Sequence, residues 1–285
     1  MMKRSVPFLM YHAIADDIVD AESGYTTTPA AFEAQMRHLR ETGWTTMTVG
    51  AVVDAWDRGR AIPERTAVVT FDDGFECLHR TALPILREYG IAATAFLISG
   101  YLDGMASYDA DLGIRARRML TREQVRELAA AGLEIGSHTV SHRDLRALGP
   151  AELRDELERS RAELEALTGR PVRTFSFPRG LLDRAVHDAV ARAGYRAACS
   201  TEPGLNDPGT DRYVLRRAEI GVGIGPAAFR SILTFGAQPA RLARSLTRHG
   251  LIDCIAALQG ADPMDLYLRP LRSLLTAGAR RAGVR

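Results

Sequence analysis

Two pairs of residues carry the chemistry open to this sequence. Asp72 and Asp73 are adjacent in TFDDG at 70–74, and His138 and His142 stand four apart in SHTVSH at 137–142. Neighbouring carboxylates repel each other if buried without a cation. A metal ion relieves this by ligating one while the other stays close by. An Asp-Asp-Gly turn, with the glycine supplying positive φ, is the plain alternative. Histidines at i and i+4 converge on one ion when the segment takes a helical turn; a pair of turn histidines is the alternative. Neutral imidazole suits zinc and its neighbours in the series. Together Asp73, His138 and His142 make a two-His, one-carboxylate set with coordination positions left open, the mark of a catalytic rather than a structural site. His38, His79 and His187 fall in helical patterns among polar neighbours, and His249 in a basic tail, so all four are assigned to surface or packing roles.

These residues need elements to hold them. Strands are predicted over 6–11, 66–71, 91–99, 133–137, 172–177, 195–200 and 213–220. Helices are predicted over 32–42, 81–89 (with Pro84 in the first turn), 121–131, 150–168 and 184–193. Thr121 and Gln124 have capping-box spacing, and Gly132 and Gly194 stop their helices. Alternation of strand and helix argues for a parallel sheet. About seven strands fit a barrel better than an open sheet. His12, Asp72, Asp73, His138 and Pro178 each follow a predicted strand, and in (β/α) barrels the active site gathers at those C-terminal ends. GVGIGP at 221–226 looks like an exit from the core. Beyond it, helical patterns recur near 229–235, 239–249, 251–259 and 265–277. The expected organisation is a barrel over 1–226 and a basic helical extension over 227–285.

Composition sets limits. The chain has 285 residues, enough for one large domain with additions. The net charge is +2, but 227–285 holds nine Arg against three Asp, so the body is mildly acidic and the tail basic. Lys3 is the only lysine, and an Arg-rich, Ala-rich chain points to compositional bias rather than nucleic-acid binding. Three widely spaced cysteines suggest neither a disulfide framework nor a cysteine zinc site, and favour a reducing compartment. The apolar run after Lys3 and Arg4 is too short for a signal peptide, and no stretch approaches the roughly 20 apolar residues of a membrane span. The expectation is a soluble cytoplasmic protein, with the basic tail able to meet an anionic membrane surface peripherally; solvated helices covering the barrel are the alternative for that tail.

TFDDG, HTVSH about 65 residues later, and the intervening LTREQVRELAAAGLEIGSH resemble the NodB-like polysaccharide deacetylases, carbohydrate esterase family four, over roughly 6–220. The resemblance implies a distorted (β/α) barrel. It implies Asp72 as general base and Asp73, His138 and His142 as ligands of a divalent metal, with zinc preferred. It also implies an oxyanion held by the metal and a backbone N–H. The third family motif, Arg-x-Pro-Tyr, is here Ser176-Phe177-Pro178-Arg179. The backbone amide of Arg179 can still serve the oxyanion, but the Arg that pairs with the base is missing. Arg217, near the end of the last predicted strand, and Arg179 itself are the candidate replacements. The family's late Leu-x-His is also absent. LMYH at 9–12 resembles instead the permuted branch, the poly-N-acetylglucosamine deacetylases, which makes His12 the implied general acid; a buried structural His is the alternative.

The leading expectation is therefore hydrolysis of N-acetyl groups from a sugar or glycan, with a lipid- or nucleotide-linked saccharide as one form of substrate. Metal-dependent hydrolysis of a non-sugar amide is the second reading. A non-catalytic glycan-binding relative is the third, and the retained Asp72 argues against it, since binding alone needs no free base beside a metal.

Overall fold

The computed structural model describes residues 5–19, 22–108 and 116–237. Its central sheet begins with β1 (Val6–Tyr11), wholly buried and flanked by parallel β3 (Thr66–Phe71). β2 (Thr45–Met47) pairs with the first half of β3, and β4 (Ala93–Leu97) with the second half. The sheet continues in parallel through β5 (Glu134–Ser137), β6 (Thr174–Ser176) and β7 (Ala197–Cys199). β8 (Leu205–Asn206) runs antiparallel to the start of β1.

The chain then closes the ring. Leu215 bridges Cys199 of β7, and a few residues later β9 (Ala218–Glu219) pairs with Leu9 and Met10 of β1. Of the segment predicted as one strand over 213–220, Leu215 thus pairs with one neighbour and Ala218–Glu219 with another. The result is a distorted (β/α) barrel of mostly parallel strands, and its first and last strands are neighbours.

Helices cover the outside: α1 (Pro29–Glu41), α2 (Val49–Asp57), α3 (Leu83–Tyr89), α4 (Arg122–Ala130), α5 (Pro150–Thr168), α6 (Arg184–Arg192) and α7 (Pro226–Phe235). Thr121 caps α4 in a reciprocal capping box with Gln124. A π-helical turn (Leu78–Ala82) runs directly into α3, and Pro84 sits at the junction, in the first turn of α3. α7 buries Phe229, Ile232 and Leu233 in the main core, so the first helical pattern after the glycine-rich exit packs on the barrel. The patterns near 239–249, 251–259 and 265–277 lie outside the described residues. Among the described residues, no helix is long and apolar enough to cross a membrane.

Candidate active site and metal centre

The site is built where strands stop. β3 runs to Phe71, Asp72 donates its N–H to Tyr11 of β1, and the chain then turns left-handed at Asp73 (φ 73°) and Gly74 (φ 89°). Glycine suits the second of these positions, because an L side chain is strained at φ 89°, and a Cβ there would also press on Leu97 Cδ2 at 2.9 Å. This turn places Asp72 and Asp73 in one pocket, both buried. β5 ends at Ser137, and the histidines follow on a loop rather than the helical turn that their spacing suggests. Thr139 (φ 72°) and His142 (φ 59°) both take left-handed backbone, and this reversal is what brings the rings together, 4.9 Å between centroids. Each such non-glycine residue costs about 1–3 kcal/mol and persists only where its surroundings over-determine it.

His138 Nε2 lies 3.5 Å and His142 Nε2 3.7 Å from Asp73 Oδ1, and one donor atom from each of the three lies within 4.8 Å of the others. Two ligands about 2.1 Å from a tetrahedral zinc stand about 3.4 Å apart, so these separations suit a shared divalent cation. His138 Nδ1 is 2.7 Å from the Ser176 carbonyl, so Nδ1 carries an N–H and Nε2 is the ring nitrogen that faces Asp73. Burial pulls the His142 pKa down to about 3, assisted by the neighbouring His138. For His138 burial acts in the same direction, but the hydrogen bond to Asp73 and the charge of Asp72 outweigh it and raise the value. Burial pushes Asp73 up, and the three histidines His138, His12 and His142 more than reverse this. A carboxylate held ionised beside a neutral imidazole is the donor set a cation needs.

Asp72 has a separate set of contacts. Arg217 Nη1 donates to its Oδ1 at 2.6 Å and Nη2 to its Oδ2 at 2.7 Å. Ser176 Oγ donates to Oδ2 at 2.9 Å and also receives Arg217 Nη2 at 2.7 Å. The guanidinium is fully buried; it further donates from Nε to the Ser200 carbonyl (2.9 Å) and from Nη1 to Thr70 Oγ1 (3.1 Å), and lies 5.5 Å from the centre of the Phe96 ring. Burial raises the Asp72 pKa, but the charge and hydrogen bonds of Arg217 win and hold the carboxyl below its usual value. Oδ2 accepts two bonds and Oδ1 one, so Oδ1 retains a lone-pair site.

His12, one residue past β1, lines the same pocket and acts electrostatically on both Asp72 and Asp73. Its ring meets Tyr25 edge-on at 5.2 Å, and its buried Nδ1 has no hydrogen-bond partner. Arg179 follows β6 in a left-handed conformation (φ 54°), with an exposed side chain at the pocket rim. Both oxygens of the Asp72 carboxylate are engaged by Arg217.

The pocket holds about 240 Å³. Its walls come from residues with no motif to announce them: Phe75, Ala106, Tyr108 and Tyr25, with an ion pair between part-buried Arg117 and buried Glu22. Tyr108 lies 4.4 Å from the His142 ring. Thr70, the first residue of TFDDG, has a part that its sequence does not announce: its hydroxyl links Arg217 to the Leu9 carbonyl. Of the histidines assigned to packing, His38 meets Phe229, His79 pairs with Glu127, and His187 sits between Asp188 and Asp211.

A barrel with an Asp-Asp turn and a His-loop at the C-terminal ends of its strands defines a NodB-like deacetylase domain. Residues 59–198 match the polysaccharide deacetylase family, and both motifs lie in that stretch. Over that stretch the chain is similar to the family, and this marks it as an enzyme of the carbohydrate deacetylase class. YxkH of Bacillus subtilis, which carries the name of a polysaccharide deacetylase, is 28% identical over 224 residues, 79% of this chain and 74% of that one. The poly-β-1,6-N-acetyl-D-glucosamine N-deacetylase of Staphylococcus aureus is 24% identical over 202 residues, 68% of this chain and 67% of that one. A Bacillus cereus polysaccharide deacetylase structure superposes with a TM-score of 0.69 at 28% identity, over 82% of this chain and 70% of that one.

Proposed function

We propose that this enzyme removes N-acetyl groups from a glycan containing N-acetylglucosamine and releases acetate. The observation that supports it best is the division of the acidic pair. Asp73 belongs to the metal-fitting triad, while Asp72 is buried beside it in a cage of its own with one Oδ1 lone pair left over. A metal-binding module has no use for that second carboxylate. The similarity to a poly-β-1,6-N-acetyl-D-glucosamine N-deacetylase supports the substrate class.

Asp73, His138 and His142 would hold a divalent ion, and zinc fits their donor types well. When bound, the ion supplies Lewis acidity that polarises the amide carbonyl and eases deprotonation of the attacking water. Asp72 takes that proton on Oδ1 while Arg217 and Ser176 hold the carboxylate in place. The Arg179 backbone N–H supports the developing oxyanion from the rim. His12 then protonates the departing amine, because an amide anion is a very poor leaving group. The substrate form remains open to a lipid- or nucleotide-linked saccharide, and membrane contact through the basic tail belongs to the same proposal.

The test is release of acetate from β-1,6-linked N-acetylglucosamine oligomers by metal-stripped protein reloaded with defined ions. Acetate that disappears on stripping and returns with zinc supports the proposal. Ammonia or formate from non-sugar amides instead would move the enzyme to another amide substrate, and glycan binding with no turnover at any metal would make it a binding relative.

A further inference from the structure

The loop between the two histidines is held by a residue far from either motif. Glu156, in the second turn of α5, is 5% exposed. Its Oε2 accepts the N–H of Val140 at 2.9 Å and of Ser141 at 3.0 Å, and its Oε1 accepts the Ser141 hydroxyl. Successive backbone N–H groups in a turn with left-handed residues form a concavity that binds anions. Here the chain fills it with its own carboxylate. Three donors satisfy a buried charge without a cation.

The same helix and the opposite wall complete the grip. Ser160 of α5 bonds Ser137 at 2.8 Å, just before His138, and Ser137 Oγ in turn accepts the Thr139 N–H. From the other side Ser99 and Gly100 donate their N–H groups to the Thr139 and Val140 carbonyls at 3.1 and 3.0 Å. A Cβ at Gly100 would meet the Val140 oxygen at 2.5 Å, so the approach is close. Of these contacts, Glu156 alone meets the stretch between the left-handed Thr139 and the left-handed His142 through charge-assisted bonds.

We infer that Glu156 is a positioning residue for the metal centre: it holds residues 140–141 so that His138 and His142 present both Nε2 atoms to the Asp73 side. This rests on the assignment of Asp73, His138 and His142 as metal ligands. Removing Glu156 leaves the buried Val140 N–H and the part-buried Ser141 N–H without acceptors and frees the loop to relax away from its left-handed backbone. The ligands then have to be ordered when the metal binds, and affinity falls.

The experiment is a zinc titration of metal-stripped full-length protein, read as affinity by competition with a chromogenic chelator, with thermal unfolding alongside. Glu156→Ala is expected to weaken zinc binding by about 10- to 100-fold, the range for residues that orient ligands. Glu156→Gln, which keeps one acceptor oxygen, is expected to recover part of that loss. Leu157→Ala, the next residue and equally buried in α5, is expected to lower the unfolding temperature while leaving zinc affinity unchanged. Zinc affinity of Glu156→Ala within twofold of the wild type would overturn the inference, as would an equal loss of affinity in Leu157→Ala. If Glu156→Ala does not fold, Glu156→Gln decides: weaker binding supports the inference and wild-type affinity overturns it. A wild-type protein that binds no zinc would remove the metal assignment itself, and that result is visible before any variant is measured.

Discussion

Arg217 meets Asp72 as a fork meets a fork: two guanidinium nitrogens on two carboxylate oxygens, at 2.6 and 2.7 Å, across 145 residues of sequence. The pair is buried, and breaking one side of such a pair costs about 3–5 kcal/mol because the remaining charge is left uncompensated. Arg217→Ala is therefore expected to lower both stability and turnover. Removing the cation also removes what keeps the Asp72 carboxyl below its usual value, so burial then raises it. The base must be ionised to act, so the acid limb of kcat/KM moves to higher pH. Arg217→Lys keeps a charge but not the fork and should recover only part of the activity. A kcat/KM profile against pH that is unchanged in Arg217→Ala would remove Arg217 from the site.

Much of this was open to view in the sequence. The Asp pair, the His pair and the strands that deliver them follow from residue type and period, and β1, β3 and α5 fall at their predicted limits. β2 is not announced because a three-residue, partly exposed strand has no apolar alternation, whereas α2, capped by Thr48 with Val49, Val52 and Val53 buried, carries a helical spacing that the predicted elements leave out. The His spacing suggested a helical turn, yet the rings converge through two left-handed residues, which a four-residue interval does not encode. Arg217 was only one of two candidates for Asp72, since sequence gives no distance between strands that meet by barrel closure. Glu156 carries no motif and Thr70 only opens TFDDG; their roles exist only once α5 and β3 are packed against their neighbours.

Ser176 occupies the position where the family resemblance leads one to expect arginine, and the guanidinium comes instead from the closing segment. The cage has room for one such group. Arg217→Ser should lose most activity, and adding Ser176→Arg in that background should restore part of it, because either position faces the same carboxylate. Ser176→Arg alone, with Arg217 still present, should fold poorly, since a second large charged side chain would overpack a fully buried site. Turnover and thermal unfolding of the three variants check this; no recovery in a folded double variant would show that Asp72 needs its guanidinium from the closing segment specifically.

His12 tests the acid assignment. General acid catalysis contributes about 100- to 10,000-fold, so His12→Ala should lower kcat by that order while zinc content and unfolding temperature stay near wild type. The loss should shrink for O-acetyl substrates, whose alkoxide leaving group needs a proton less than an amine does. Near full turnover of N-acetyl substrate by His12→Ala, at normal zinc content, would place the acid elsewhere.

Far from the pocket, Asp57 offers a clean reading of acid stability. It sits at the end of α2, where Arg212 bonds it at 2.7 Å and Arg196 at 2.5 Å. The hydrogen bond from Arg212 is the largest influence, and with Arg196 it overcomes a smaller upward push from burial to hold the carboxyl below its usual value. A carboxyl lowered in the folded state binds fewer protons there than in the unfolded chain, so it stabilises the fold above its unfolded pKa. That contribution disappears as pH falls through the folded value. Asp57→Asn should therefore lower the unfolding temperature at pH 7 by about 1–4 °C, as befits a partly exposed pair worth about 1 kcal/mol or less. Once the pH has fallen below that folded value, the two proteins should unfold together. Because the site is screened by solvent, high salt should also narrow the difference at pH 7. Thermal unfolding of both proteins from pH 7 to 2 measures this, and a gap that widens on acidification would mean that Asp57 is not held ionised by its two arginines.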